Sequence, residues 1–227
     1  MSRLTHSVIL GSYNRPKMVA RAIRSVLAQS VPRFQLIVTD DGSNEETLDS
    51  IRTSFASDPR CLLLTQKHVP DDAQRVDCAN RAVQRINDAI PHVRGDIVHY
   101  LPDDDFYNES RFEVFDAIFS NPEVSAGYGR LIYVNAEGIP LGPTRYADGV
   151  ADPLGVLDQN QVAHRREVFE RIPKWADAVD WASEGHFFRA VSRIWKFHGL
   201  DRVVAFKTEH DLCMSRTKAR STGQRER

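Results

Sequence analysis

Cysteine is scarce in this chain. Three occur in 227 residues, Cys61, Cys78 and Cys213, far apart and without CxxC spacing. A disulfide scaffold or a zinc ribbon needs denser, patterned thiols, so the spacing favours buried thiols in a reducing compartment. Charge of one sign is lacking too. The formal net charge is -1, so nothing calls for a nucleic-acid partner. No apolar run approaches the roughly 20 residues of a membrane-spanning helix. The opening stretch, Met1 to His6, runs straight into a strand-like segment without a signal-peptide pattern, and a cytoplasmic location is expected. Internal repeats are absent as well. What is present is 41% hydrophobic and 27% charged residues, enough for one large core.

The first hundred residues alternate two periodicities. Ser7 to Leu10 is a short apolar run of the kind that forms a buried parallel strand. Val19, Ala22, Ile23, Val26 and Leu27 then recur at helical spacing, with Pro16 near the helix start. Phe34 to Thr39 reads as a second strand, followed by Ser43 and Glu46 at capping-box spacing for a helix to about Phe55. Cys61 to Leu64 and Asp96 to Leu101 read as further strands, with a helix from about Asp72 to Ala89 between them. This alternation predicts an α/β fold with a mostly parallel, Rossmann-like sheet flanked by helices. Beyond residue 105 the pattern predicts a helix around Phe112 to Phe119, a strand from Gly127 to Val134 and a hairpin turn at Asn135 to Gly138. Pro140 to Gly155 reads as a loop, Gln161 to Arg171 and Ser183 to Trp195 as helices, and Arg202 to Lys207 as a last strand. Residues 1–105 and 106–215 then form two halves of one continuous domain, and 216–227 a disordered basic tail.

Two acidic clusters end strand-like runs: Asp40-Asp41 and Asp103-Asp104-Asp105. Crowded carboxylates raise one another's pKa unless a cation shares the site. A hard divalent cation relieves this and commonly holds a diphosphate. In open α/β sheets, ligands bind at the carboxyl ends of strands. Each cluster alone is equally well a solvated turn or a helix start; two in one chain suggest one nucleotide-diphosphate site.

The run Ser7 to Arg15, then Val38-Thr39-Asp40-Asp41-Gly42-Ser43-Asn44-Glu45-Glu46-Thr47, then Arg94 to Tyr107, resembles family-two glycosyltransferases with the GT-A fold. The closest resemblance is to the spore-coat polysaccharide glycosyltransferase type, and it extends to about Ser215. It implies a metal-dependent, inverting hexosyltransferase-type enzyme using Mn²⁺ or Mg²⁺. On that basis Gly11, Tyr13 and Arg15 line the nucleotide, with Tyr13 flanking the base. Asp41 accepts from the base imide N–H, which fits uracil or thymine and rejects cytosine. Asp103 takes the ribose, Asp104 ligates the metal and Asp105 holds a metal-bound water. Arg81 matches an arginine near the nucleotide; a solvated helix cation is the competing reading. The motif departs from the family where Pro102 replaces its usual first Asp, and where Gly11 replaces Thr or Pro.

On the acceptor side the resemblance implies a carboxylate base three residues before a Phe-Phe pair, the position of Glu184 before Phe187-Phe188. Asp180 is the fallback, with Asp177 nearby, and a helix-terminal carboxylate is the plain alternative for Glu184. His210 is expected as a metal or phosphate contact and Arg216 as a phosphate clamp, on a segment that closes over the diphosphate. Trp175, Trp181 and Trp195 suit a sugar platform or, more simply, the core. The expected partners are a UDP- or dTDP-sugar and a hydroxyl acceptor whose identity the sequence does not name; a homodimer is compatible with it. A sugar-nucleotide nucleotidyltransferase would carry a Gly-rich basic loop after the first strand, which Gly11 to Arg15 is not. A non-catalytic nucleotide-sugar-binding protein would be expected to lose the triple Asp or the acidic base, and this chain keeps both.

Overall fold

The computed structural model describes residues 4–67, 75–176 and 183–210. Its first part runs β1 (His6–Ser12), α1 (Pro16–Leu27), β2 (Phe34–Asp40), α2 (Glu45–Phe55), β3 (Cys61–Thr65), α3 (Arg75–Ala89) and β4 (Ile97–Pro102). The second part runs β5 (Phe106–Tyr107), α4 (Arg111–Ile118), β6 (Ala126–Val134), β7 (Pro140–Arg145), β8 (Val162–Arg165), α5 (Val168–Arg171), α6 (Ser183–Ser192) and β9 (Phe197–Thr208). Among the described residues these strands make one sheet in the order β3-β2-β1-β4-β8-β6-β9-β5, with β7 on β6. β1 to β4 are parallel to one another, and β8 enters antiparallel beside β4. One sheet therefore takes in strands from residue 6 to residue 208.

Strand alternation sorts the core into two layers. Val8, Leu10, Leu36 and Val38 pack with α1, α2 and α4 on one face. Ile9, Ile37, Val98 and Tyr100 pack with α3 and α6 on the other. α1 begins at Pro16 and buries Val19, Ala22, Ile23 and Val26, the periodicity its sequence shows. No helix among the described residues is long and apolar enough to cross a membrane.

Three expectations change. The cap of α2 is Asn44, whose side chain accepts from the Thr47 N–H at 3.0 Å. Ser43, expected as the cap, instead accepts from the Asn14 N–H at 2.9 Å. Pro140 to Gly155 is not all loop. Its first six residues form β7, which begins at Pro140, a strand-start position that proline tolerates. Gln161 to Arg171 is not a helix. Val162–Arg165 is claimed as a strand by pairing with β4 and β6 on its two sides, and only one helical turn follows. A four-residue buried run fits either period, so tertiary pairing decides. Cys61 is a free, half-buried thiol pushed up to about 11 by burial. The start expected for α3 at Asp72, the Cys78 side chain, Cys213 and the tail lie outside the described residues.

Candidate active site

Parallel pairing brings three strand ends together. Gly11 lies opposite Thr39 on β2 and Pro102 on β4. The segments that follow, 12–15, 41–43 and 103–105, therefore share one edge of the sheet. Asn14 bends the first of them, with φ of 48°, a left-handed conformation that Asn tolerates better than most residues. Its side chain accepts from the Asn44 N–H at 2.8 Å, stitching the first segment to the second. Asp40 is fully buried and turns the β2 end, one carboxylate oxygen accepting from the N–H groups of Gly42 and Ser43.

The acidic tripeptide divides its contacts. Asp103 accepts from the Tyr13 N–H at 2.9 Å and from Arg15 Nη1 at 2.7 Å. The same Nη1 lies 3.1 Å from Asp104 Oδ2. That Oδ2 also lies 3.0 Å from His210 Nε2. Asp105 is placed differently. Its two oxygens accept from the Thr208 N–H at 2.7 Å and the Asn160 amide at 2.5 Å. The reason is β5, which pairs antiparallel with β9 through Phe106–Phe206 and Tyr107–Ala205. Residues just before β5 thus meet residues just after β9. Half-buried Lys207 forms an ion pair with buried Asp158 behind this cluster.

Burial and charge separate the three carboxyls. Burial pushes Asp103 up to about 6, against the pull of Arg15. Burial also pushes Asp105 well above the usual carboxylate range, and the Asp104 charge adds to it. Asp104 goes the other way. Burial opposes its charge, but the His210 hydrogen bond and the Arg15 and Lys207 charges prevail and hold it below the ordinary value. Asp104, the carboxylate that faces the histidine, is thus the one of the three held most firmly in its charged form.

Asp41 meets Arg81, whose Nε donates to it at 2.7 Å, and Arg85 approaches to 4.0 Å. α3 thereby supplies cations to the acidic end of β2. Tyr13, on the neighbouring segment after β1, is 37% exposed. A Cβ at Gly11 would meet nothing within 4 Å, so no close approach requires glycine there.

Glu184 is half-buried in the first turn of α6. Phe187 and Phe188, three and four residues on, share its helix face and pack on Tyr100 of β4 with ring centroids 6.4 and 6.2 Å away. Asp177, Asp180, Trp181 and Arg216 lie outside the described residues. Trp175 is a core residue, stacked on Phe187 at 4.8 Å. His164 is also core. Its Nε2 is 2.7 Å from the Tyr100 hydroxyl, and burial pulls its pKa down to about 4.

Sequence reasoning missed Arg21, Asn160 and the Lys207–Asp158 pair. The one available signal was Lys207 itself, a charge closing the apolar run Val203 to Phe206.

A divalent cation fits this donor set only as a shared ligand. Among the described residues, no group of three or more His, Cys, Asp and Glu side chains could hold a metal ion. Asp104 and His210 offer one charged oxygen and one imidazole nitrogen close together. Mg²⁺ and Mn²⁺ commonly complete such a partial set with phosphate oxygens and water.

Residues 7–172 match the family model of glycosyl transferase family 2, and the chain belongs to that family. Protein CgeD of Bacillus subtilis is 32% identical over 200 residues, covering 80% of this chain and 46% of CgeD. The fold is GT-A, shared with solved glycosyltransferase structures. S. aureus TarS 1-349 in complex with UDP superposes with a TM-score of 0.71 at 15% identity, over 91% of this chain and 61% of that one. The mannosyltransferase PcManGT from Pyrobaculum calidifontis, in complex with GDP-Man and Mn²⁺, gives 0.70 at 18% identity, over 97% and 61%. The chain thus spans about half the length of CgeD and about three fifths of those two structures.

Proposed function

We propose that this chain is an inverting glycosyltransferase, moving a sugar from a UDP- or dTDP-sugar to an acceptor hydroxyl with the help of Mn²⁺ or Mg²⁺. The observation that carries the reading is the shared strand edge, with Asp103, Asp104 and His210 at one end and Asp41 with Arg81 at the other. Asp41 offers an acceptor beside the Arg81 donors. That pattern complements the N3–H and O4 edge of uracil or thymine and opposes the cytosine amino group. TarS has been solved with UDP, which supports the same class of donor. Tyr13 flanks the base, Arg15 binds beside the phosphates and Asp103 takes the ribose.

Asp104 and His210 would hold the cation, which supplies charge neutralisation for the departing diphosphate. Asp105 buttresses their loop from behind, its two oxygens taken by the Thr208 N–H and the Asn160 amide in place of the metal-bound water expected from the resemblance. Glu184 accepts the proton of the acceptor hydroxyl as its oxygen bonds to the anomeric carbon. The bond from that carbon to the diphosphate breaks in the same step, releasing the nucleoside diphosphate. Asp180 is the alternative base. Residues 1–105 serve the donor and 106–215 the acceptor, in a cytoplasmic setting.

The test is hydrolysis of UDP-, dTDP- and GDP-sugars with Mn²⁺ or Mg²⁺, followed as nucleotide release, since this needs no acceptor. Release from a UDP- or dTDP-sugar that depends on metal and disappears in Asp104→Ala supports the reading. Guanine presents a similar donor-acceptor edge, so release from a GDP-sugar alone would overturn the base assignment. Release untouched by chelation would overturn the metal assignment.

A further inference from the structure

The buried edge between α1 and the acidic loop holds a guanidinium that the proposed reaction does not use. Arg21 on α1 donates through Nη2 to the backbone oxygen of Asp104 at 2.9 Å and to the Thr208 hydroxyl at 2.7 Å. Its Nη1 donates to the Ala136 carbonyl at 2.9 Å, and its guanidinium lies 4.6 Å from the centre of the Phe106 ring. These partners belong to three segments far apart in sequence: the β4–β5 loop, the β6–β7 turn and the end of β9. One half-buried side chain therefore fixes the acidic loop against the strand that leads, two residues later, to His210.

We propose that Arg21 is a positioning residue that sets His210 against Asp104 and so builds the cation-binding pair. This rests on the reading of Asp104 and His210 as that pair. The hydrogen-bond partners of Arg21 are neutral oxygens, while the charges of Asp105 and Asp104 act on it through space; what the fork adds beyond its charge is geometry. A planar fork can donate to two separate segments at once, and a lysine ammonium on a single flexible stem does not reproduce it. Asp105 does related work from the other side by accepting from the Thr208 N–H. Thr208, 1% exposed, is thereby held at both its backbone and its hydroxyl.

The experiment measures the affinity of the full chain for UDP by calorimetry, with Mn²⁺ and with EDTA. The quantity read is the factor by which Mn²⁺ tightens UDP. Arg21→Met keeps the aliphatic stem on Phe106 and removes the fork. It is expected to cut that factor by about tenfold, the lower end of what partners of metal ligands contribute, with the EDTA affinity unchanged. Arg21→Lys should behave like Arg21→Met. In a His210→Ala background, Arg21→Met should cost nothing further, because the residue through which it acts is gone. Thr208→Val, which removes one acceptor and keeps the N–H, gives a second route if Arg21→Met folds poorly, and should lower the same factor in part. Retention of the full Mn²⁺ factor in Arg21→Met and Thr208→Val, or full restoration by Arg21→Lys, would overturn the inference. So would an equal loss with EDTA, which indicates general damage. If Asp104→Ala and His210→Ala both keep the Mn²⁺ factor, the metal-pair reading fails and takes the inference with it. If they lose it while Arg21→Met does not, the inference alone fails.

Discussion

Lys207→Met tests whether the charge behind the acidic loop is structural. Lys207 is the cation of a pair with Asp158, whose side chain is 7% exposed. Burial pushes the Asp158 carboxyl up, yet the Lys207 charge and hydrogen bond outweigh it and hold it below its ordinary value. Asp158 also accepts from the Asn160 N–H, and Asn160 in turn donates to Asp105. Met preserves most of the stem and removes the ammonium. Breaking one side of a buried pair costs about 3–5 kcal/mol, because the remaining charge is buried uncompensated. Since about 1 kcal/mol shifts the melting temperature by about 2–4 °C at this size, the variant should melt roughly 6–20 °C lower at pH 7. The sign with pH follows from the depressed carboxyl. Its stabilising contribution in the wild type is present above the unfolded value of about 4 and is lost as pH falls through the folded value. In the variant, Asp158 without its cation can take up a proton instead. The gap between wild type and variant should therefore be widest near pH 7 and narrow as pH falls, from above the ordinary carboxylate value, where the buried Asp158 of the variant takes up its proton, to below it, where the wild-type carboxyl does. Urea unfolding at several pH values reads this directly. A cost below about 1 kcal/mol at pH 7, the range of an exposed pair, would refute the reasoning.

Glu184→Gln should lower transfer by roughly two to four orders of magnitude, the usual worth of a general base, with donor affinity kept. Near-normal transfer with a small stability loss would make Glu184 a helix-terminal charge, and a dead Asp180→Asn would then move the base to Asp180. Asn44→Ala should destabilise by about 1 kcal/mol through loss of the α2 cap, whereas Ser43→Ala should leave α2 itself capped; helix-resolved hydrogen exchange separates the two. Phe188→Ala should cost about 3–5 kcal/mol as a fully buried aromatic, measured by chemical denaturation. Chelation with EDTA should leave the melting temperature unchanged, since Arg15 and His210 already face Asp104; a clear drop would mean that a cation belongs to the fold itself.

The first four strands were legible because parallel strands buried on both faces read as unbroken apolar runs, and helical spacing separates them. The strand-end rule then pointed to the two acidic clusters, Asp40-Asp41 and Asp103 to Asp105, while the roles expected within them came from the family resemblance. What stayed hidden depends on tertiary register. β8 is four residues long, and its sequence fits a helix equally well until β4 and β6 claim its backbone. Ser43 and Asn44 are both good caps, and the choice was made by Asn14, thirty positions from Asn44, whose N–H takes the Ser43 hydroxyl. Arg21 lies off the apolar face of α1 and looks like any solvated arginine. Only the arrival of β9 beside Asp104 gives it partners.

The triple aspartate shows the same division between composition and placement. Three adjacent carboxylates suggested mutual repulsion answered by one metal ion. The fold answers the repulsion residue by residue. Asp103 meets Arg15, Asp104 meets Arg15 and His210, and Asp105 turns inward to an amide and a backbone N–H. A carboxyl whose partners are neutral, in a site that excludes water, gives up its charge most readily, and Asp105 is the one pushed furthest upward. Asp104 is held the other way, below the ordinary value, by the His210 hydrogen bond and the Arg15 and Lys207 charges. Neighbours in sequence thus acquire different ionisation from the elements they touch.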